Sequence, residues 1–255
     1  MALPAFAELA AGAGWRRADL ISDLHLHEGE PATFAAWRRF MASTPADAVF
    51  ILGDLFEAWP GDDVARQPGF AADCAAVLRD AAARRPVFFL HGNRDFLVGE
   101  ALADSTGMRL LADPTVLSFG PRRWLLSHGD LLCLGDTEYL RFRAQVRAPD
   151  WQRDFLARPL AERQAVASQL RAQSEARKRS GLPYADVDPG EARAWLRAAS
   201  ADTLVHGHTH KPARHDLGDG LQRIVLTDWD LAASPARAQA LRLSADGGWQ
   251  RLPLA

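Results

Sequence analysis

Five short groups of oxygen- and nitrogen-bearing residues stand directly behind apolar runs: Ser22-Asp23-Leu24-His25, Gly53-Asp54, His91-Gly92-Asn93-Arg94-Asp95, Ser127-His128-Gly129-Asp130 and His206-Gly207-His208-Thr209-His210. They offer the oxygens of Asp23, Asp54 and Asn93 and the imidazoles of His25, His128, His208 and His210, with no thiolate among them. Mixed nitrogen and oxygen donors suit divalent first-row metals such as Mn, Fe, Co or Zn. Seven donors exceed what one tetrahedral ion takes, but they suit two ions that share a carboxylate. Two ions about 3.5–4 Å apart clamp the attacking and leaving oxygens of a phosphoryl displacement. With only two carboxylates, a pair of divalent cations leaves such a site at about +2, matched to an anionic substrate.

Taken singly, each group has an ordinary structural explanation. Asp23 serves as well to cap the loop after a strand, Gly-Asp and Gly-Asn are common turn dipeptides, and His128 fits as a satisfied core histidine. Gly207-His208-Thr209-His210 is sharper, because two imidazoles two residues apart share one side of an extended segment. All five in one chain, each just after an apolar run, outweigh the separate explanations.

Strands are expected at 19–22, 48–52, 87–90, 115–119, 123–127, 203–205 and 223–227. Helices are expected at 33–42, where Phe34, Trp37 and Met41 share a face, and at 71–84. This βαβαβ rhythm predicts a sheet with helix-covered faces. The carboxyl ends of strands in such sheets open on a common crevice, so the five groups should meet in space. Between 138 and 179 the pattern turns helical, ended by Gly181-Leu182-Pro183. Ten bases against six acids make 136–181 about +4 in a chain whose net charge is -2, and Tyr139, Phe142, Trp151, Phe155 and Leu156 are interleaved with them.

At 255 residues, 48% hydrophobic and 24% charged, the chain has the composition of one globular domain. Its charge balance gives the whole molecule no pull on nucleic acid. No apolar run approaches the roughly 18 residues of a spanning helix. Cys74 and Cys133 show no pairing pattern, and the start of the chain lacks the basic residues of a signal peptide, so a reducing, cytoplasmic setting is expected.

The order D-x-H, G-D, G-N-R-D, H-G, G-H-x-H from Asp23 to His210 resembles the calcineurin-like metallophosphoesterase superfamily. The fuller strings Gly53-Asp54-Leu55-Phe56-Glu57-Ala58-Trp59-Pro60-Gly61-Asp62-Asp63 and Phe89-Leu90-His91-Gly92-Asn93-Arg94-Asp95-Phe96 are similar to its branch of UDP-2,3-diacylglucosamine diphosphatases of lipid A biosynthesis in Gram-negative bacteria. The resemblance implies an α/β fold, a four-layer α/β/β/α sandwich in a single domain over 1–255, with a helical insertion at 136–181. It implies one metal on Asp23, His25, Asp54 and His210 and another on Asp54, Asn93, His128 and His208, with Mn2+ the usual ion. Arg94, Asp54 and Asn93 would carry catalysis. Substrate contacts would fall on Asn93, Arg94, Asp136, Ser174, Lys178 and His208. The implied reaction is water attack on the α-phosphorus of the lipid-linked UDP-sugar, giving UMP and 2,3-diacylglucosamine 1-phosphate (lipid X). The implied place is the cytoplasmic face of the inner membrane, held peripherally, with no protein or nucleic-acid partner implied.

Many superfamily relatives have His where this chain has Arg94, placed to protonate an alkoxide leaving group. An arginine stays charged and cannot be that acid. A phosphate leaving group, with a second pKa of about 6, needs charge neutralisation rather than a proton, so Arg94 favours diphosphate cleavage. The plain alternative pairs Arg94 with neighbouring Asp95. The basic, aromatic insertion suits a substrate with acyl chains beside a diphosphate; Arg171, Ser174 and Lys178 share one helical face there. Its alternative is a solvated helical hairpin. Glu57, Trp59, Asp62 and Asp63 are expected to shape the loop behind Asp54 rather than touch phosphate. His27 and His215 are expected to be structural, and His91 and His206 to orient neighbouring ligands. Three other readings are weighed from the residues: a metallophosphodiesterase acting on a soluble nucleotide, a scaffold of the same fold without catalysis, and a nuclease of this superfamily, against which the overall acidity counts.

Overall fold

The computed structural model describes residues 3–179 and 185–254, with side chains from 171 to 179 left out of the description. Two six-stranded sheets face each other. The first holds β2 (Arg17–Ile21), β3 (Ala48–Leu52), β4 (Val87–Leu90) and β5 (Arg109–Leu111), all parallel, with β11 (Gln239–Ser244) and β12 (Trp249–Pro253) antiparallel beyond β2, in the order β12-β11-β2-β3-β4-β5. The second holds β1 (Ala7–Ala10), β6 (Thr115–Phe119), β7 (Arg122–Leu126), β8 (Thr203–His206), β10 (Leu221–Val225) and β9 (Arg214–Gly218), in that spatial order.

Alternation along the strands builds the layers. On β3, Ala48, Phe50 and Leu52 face the other sheet, while Val49 and Ile51 face outward. The inner layer packs Leu20, Phe50 and Phe88 against Leu117, Trp124, Val205 and Ile224, with Phe50 and Phe88 stacked at 4.7 Å. The outer face of the first sheet buries Trp37 and Met41 of α1 (Pro31–Ser43), Cys74 and Leu78 of α2 (Phe70–Ala82) and Leu102 of α3 (Glu100–Thr106). Burying side chains of this size contributes about 1.5–3 kcal/mol each. The second sheet is covered by Trp195 and Leu196 of α7 (Pro189–Ala198). The result is the expected α/β/β/α sandwich. Strands β1, β5, β9, β11 and β12 and helices α3 and α7 go beyond the elements read from the sequence.

Between β7 and α7 the chain forms α4 (Thr137–Val146), α5 (Pro149–Leu156) and α6 (Leu160–Arg179). The helical region is divided twice, before Pro149 and around Pro159, because proline cannot continue a hydrogen-bonded turn. Its expected stop at Gly181-Leu182-Pro183 lies outside the described residues. Trp151 and Phe155 stack at 4.8 Å and, with Val166, pack onto the core layer under the first sheet. Arg163 of α6 is buried and donates to Pro60 O at 2.5 Å and to Asp63 Oδ1 at 2.9 Å. Among the described residues no helix is long and apolar enough to cross a membrane.

Candidate metal centre

The loops after β2, β3, β4, β7 and β8 meet at one edge of the sandwich and bring the five groups together. The loops after β2 and β3 stay laced beyond the strands: Leu24 N and His25 N donate to Asp54 O at 2.8 and 3.0 Å, and Leu26 N donates to Leu55 O at 2.9 Å. Asp23, His25, Asp54, His208 and His210 all have φ between 49° and 66°, the left-handed region. A side chain there costs about 1–3 kcal/mol unless its surroundings hold it. Five of the seven such non-glycine residues described are donors named above, so backbone strain concentrates where the chemistry is. Gly53, at φ 87°, has a separate reason to be glycine: a Cβ would sit 2.5 Å from Gly92 N and 2.7 Å from His128 Nδ1.

The donors fall into two groups with Asp54 between them. In one, His25 Nε2 lies 3.2 Å from His210 Nε2 and 3.9 Å from Asp54 Oδ2, and His210 Nε2 lies 3.4 Å from Asp23 Oδ1. In the other, Asn93 Oδ1 is 3.0 Å from His128 Nε2 and 2.9 Å from His208 Nδ1, and His128 Nε2 is 3.8 Å from Asp54 Oδ1. Donor atoms of Asp23, Asp54 and His128 also lie within 4.8 Å of one another, as do those of Asp23, His25 and His210.

The electrostatics of this cluster is that of a cation site. Burial works against an ionised Asp23, yet its hydrogen bond to His210 and the charges of His210, His128 and His25 outweigh it and hold the carboxyl well below the usual range. Burial likewise opposes a charged His128, but Asp54, Asp130 and Asp23 override it and raise its pKa to about 9. His208 goes the other way, down to about 4, by burial and by the charge of His128. The fully buried His128 keeps its other ring nitrogen on Leu52 O at 2.9 Å, which turns Nε2 toward the centre. Buried carboxylates and imidazoles with converging lone pairs and no thiolate fit a divalent first-row ion.

The remaining sequence expectations sort as follows. Asp95 does not pair with Arg94. Its carboxylate instead accepts from the amides of Gly92 (2.9 Å), Leu55 (2.7 Å), Asp54 and Phe56, knitting the loops after β3 and β4 together. Burial and the charge of Asp54 push its pKa up to about 7. Arg94 donates to Glu57 Oε1 at 3.4 Å. Glu57 therefore departs from its expected loop-shaping role and reaches the centre, its Oε2 lying 3.1 Å from His25 Nδ1. Trp59, Asp62 and Asp63 do shape the loop. Trp59 Nε1 donates to Asp62 Oδ1, Asp62 accepts from Gly99 N and Leu102 N at the start of α3, and Asp63 takes Arg163.

His91 bonds Val98 O at 2.6 Å and so closes the loop carrying Asn93 and Arg94. His206, held neutral by burial with a pKa of about 3, bonds Gly207 O at 2.9 Å. His27 accepts from Gly29 N, and His215 lies on β9 away from the centre. Asp136 caps α4 through Tyr139 N at 3.1 Å and lines the cavity over the centre. Ser174 and Lys178, with Arg171, lie outside the residues whose side chains are described. Tyr139, which the sequence marks only as one of the large side chains among the bases, stacks on His208 with ring centroids 5.9 Å apart and donates to the buried Asp130, which also accepts from Arg143 Nε at 2.7 Å. The recurrence of acid after His128-Gly129 was the available signal for Asp130; nothing local marks Tyr139.

Residues 17–212 match the family model of the calcineurin-like phosphoesterases, and the chain belongs to that family. It is thus a metal-dependent hydrolase with a divalent metal site. The chain is 45% identical over 236 residues to a protein of Bordetella pertussis named UDP-2,3-diacylglucosamine hydrolase, covering 89% of this chain and 92% of that one. Proteins of the same name from Xanthomonas axonopodis pv. citri (48% over 242 residues, 89% and 95% covered) and Chromobacterium violaceum (47% over 243 residues, 92% and 97% covered) are similar throughout their lengths.

Proposed function

We propose that this chain hydrolyses the diphosphate of UDP-2,3-diacylglucosamine to UMP and 2,3-diacylglucosamine 1-phosphate, a step of lipid A biosynthesis. The names of its relatives support the substrate. The observation that carries the reading is one cavity of about 680 Å3 whose lining joins two chemistries, the polar His25, Asp54, Asn93, Arg94 and His208 and the apolar Phe96, Phe142, Trp151, Phe155 and Leu170. A diphosphate and acyl chains need such a pair of surfaces side by side.

In this reading Asp23, His25, Asp54 and His210 hold one ion, and Asp54, Asn93, His128 and His208 the other, with Asp54 shared and Mn2+ as the ion. Two such ions, when bound, neutralise diphosphate oxygens and lower the pKa of water. The chain's own groups do the rest. The positive-φ loops fix the donors before substrate arrives, which lowers reorganisation during the reaction. Arg94, on the cavity wall, neutralises charge developing on the departing sugar phosphate, which leaves without needing a proton. Asn93 and His208 meet the diphosphate; Asp136, Ser174 and Lys178 contact the lipid-linked sugar. The segment 136–181 covers the acyl chains. Leu156, exposed on it outside the cavity, supports peripheral contact with the inner membrane from the cytoplasm.

The test is turnover with Mn2+ of UDP-2,3-diacylglucosamine beside unacylated UDP-N-acetylglucosamine, run in oxygen-18 water. Cleavage of the acylated substrate alone, with the label in UMP, is expected. Label in the sugar phosphate would overturn the attack position, and equal cleavage of both substrates would strip the insertion of its role. Cleavage of neither would remove the proposed substrate.

A further inference from the structure

Glu57 sits behind the centre with both oxygens committed in different directions. Its Oε2 is 3.1 Å from His25 Nδ1 and its Oε1 3.4 Å from Arg94 Nη1. The His25 ring meanwhile aims its other nitrogen, Nε2, at His210 and Asp54. The Glu57 side chain is only 8% exposed, and a buried carboxylate is costly unless cations or donors face it. Its place is set by the backbone, because Leu26 and Phe56 form a parallel bridge and Glu57 N donates to Leu26 O at 3.2 Å. On either side, Phe56 stacks on Trp59 at 4.3 Å, and Trp59 N donates to Arg94 O at 3.2 Å. The Phe-Glu-Ala-Trp string is therefore a frame that delivers one carboxylate to one spot.

We propose that Glu57 is a positioning residue, a single carboxylate that fixes the His25 imidazole from behind and holds the Arg94 guanidinium at the rim of the centre. The proposal rests on the ligand role of His25 and the charge-stabilising role of Arg94 given above. The reasoning is electrostatic. A guanidinium beside two dications is repelled, so it needs a negative anchor on its far side to remain within reach of the diphosphate. An imidazole that gives one nitrogen to a cation becomes more acidic at the other, and a carboxylate there keeps that proton and the ring orientation in place. In the structure Glu57 Oε2 lies 3.1 Å from His25 Nδ1 without forming a hydrogen bond.

The test uses the full chain with Mn2+ alone as probe, comparing wild type with Glu57→Gln and Glu57→Asp by calorimetric titration. Glu57→Gln is expected to weaken one of the two Mn2+ equivalents by about 10–100-fold and leave the other unchanged, with Glu57→Asp recovering part of the loss. At saturating Mn2+, Glu57→Gln should lower kcat with little change in KM, since Arg94 loses its anchor. Titrations that superimpose on wild type would overturn the proposal. So would equal weakening of both equivalents, which is the mark of a general structural role. A wild-type measurement stands apart from whether variants fold: nitrogen NMR of the Zn2+-loaded protein should show His25 protonated at Nδ1 and bare at Nε2, and the reverse tautomer would sink the idea. Should wild type fail to cleave UDP-2,3-diacylglucosamine, the substrate reading falls, while the titration and the tautomer still decide the role of Glu57.

Discussion

His25 and His210 stand 185 residues apart in the chain, yet their Nε2 atoms face each other at 3.2 Å. Two imidazole nitrogens at that distance satisfy one another only when one carries a proton and the other does not. Ligation of a cation through both nitrogens would need both bare, so the pair would have to give up its shared proton.

Removing one member of this pair should separate the two halves of the centre. His210→Ala is expected to keep one of two Mn2+ equivalents, because Asn93, His128 and His208 are untouched, and to lower kcat by about 100-fold or more. Metal content by atomic emission and turnover at saturating Mn2+ check this. Loss of both equivalents would show that the two groups do not bind independently.

Arg94→Ala separates charge stabilisation from metal binding. It should cut kcat by about 10²–10³-fold, the cost of one lost donor to developing charge, with two Mn2+ still bound. Arg94→Lys should recover only part, since an ammonium cannot reproduce the planar fork. Loss of metal in Arg94→Ala would contradict the assignment.

Metal loading should be visible as stability. A ligand at 100 times its Kd adds about 2.7 kcal/mol to the folded state. In a chain of this size each kcal/mol moves Tm by about 2–4 °C, so Mn2+ should raise Tm by roughly 5–10 °C and chelation should reverse it. Scanning calorimetry in Mn2+ and in EDTA is the measurement; an unchanged Tm would argue against ligation by the buried cluster.

The Arg163–Asp63 pair ties α6 to the loop behind the centre and makes a pH prediction. The hydrogen bond from Arg163 outweighs a small burial cost and holds the Asp63 carboxyl below its ordinary value. A lowered folded pKa means that the pair stabilises above the unfolded pKa of about 3.9 and is lost as pH falls through the folded value. Wild type should therefore exceed Asp63→Asn in stability at neutral pH, with the gap closing below about pH 4. Denaturant melts of both proteins across that range check it. A gap that widens in acid would contradict the sign.

What the sequence made legible follows burial. Inner strands such as β3, with every residue buried and apolar, announce themselves, whereas the inner β11 carries Arg242 to Asp19 and does not. The four sheet edges, β1, β9, β5 and β12, are half-buried or exposed at every residue except Leu217 of β9. Ala7-Glu8-Leu9-Ala10 even has the composition of a helix, and only pairing with Thr115–Ser118 makes it extended. In the site the donors were readable because their types and order are rare in combination. Glu57 was not, since its contacts come from the lacing of two loops, and Tyr139 meets His208 only through the docking of α4.

The two donor groups share a further property. Asp23, His25, Asp54 and Asn93 follow strands of the first sheet, whereas His128, His208 and His210 follow strands of the second. Each group draws from both, so neither sheet alone carries a complete set. The centre is a seam, and an ion bound across it acts as a rivet between two halves of the sandwich. A chain with one sheet formed lacks His210 from one group and His128 and His208 from the other, or the reverse, so tight uptake of metal would report that the halves have docked.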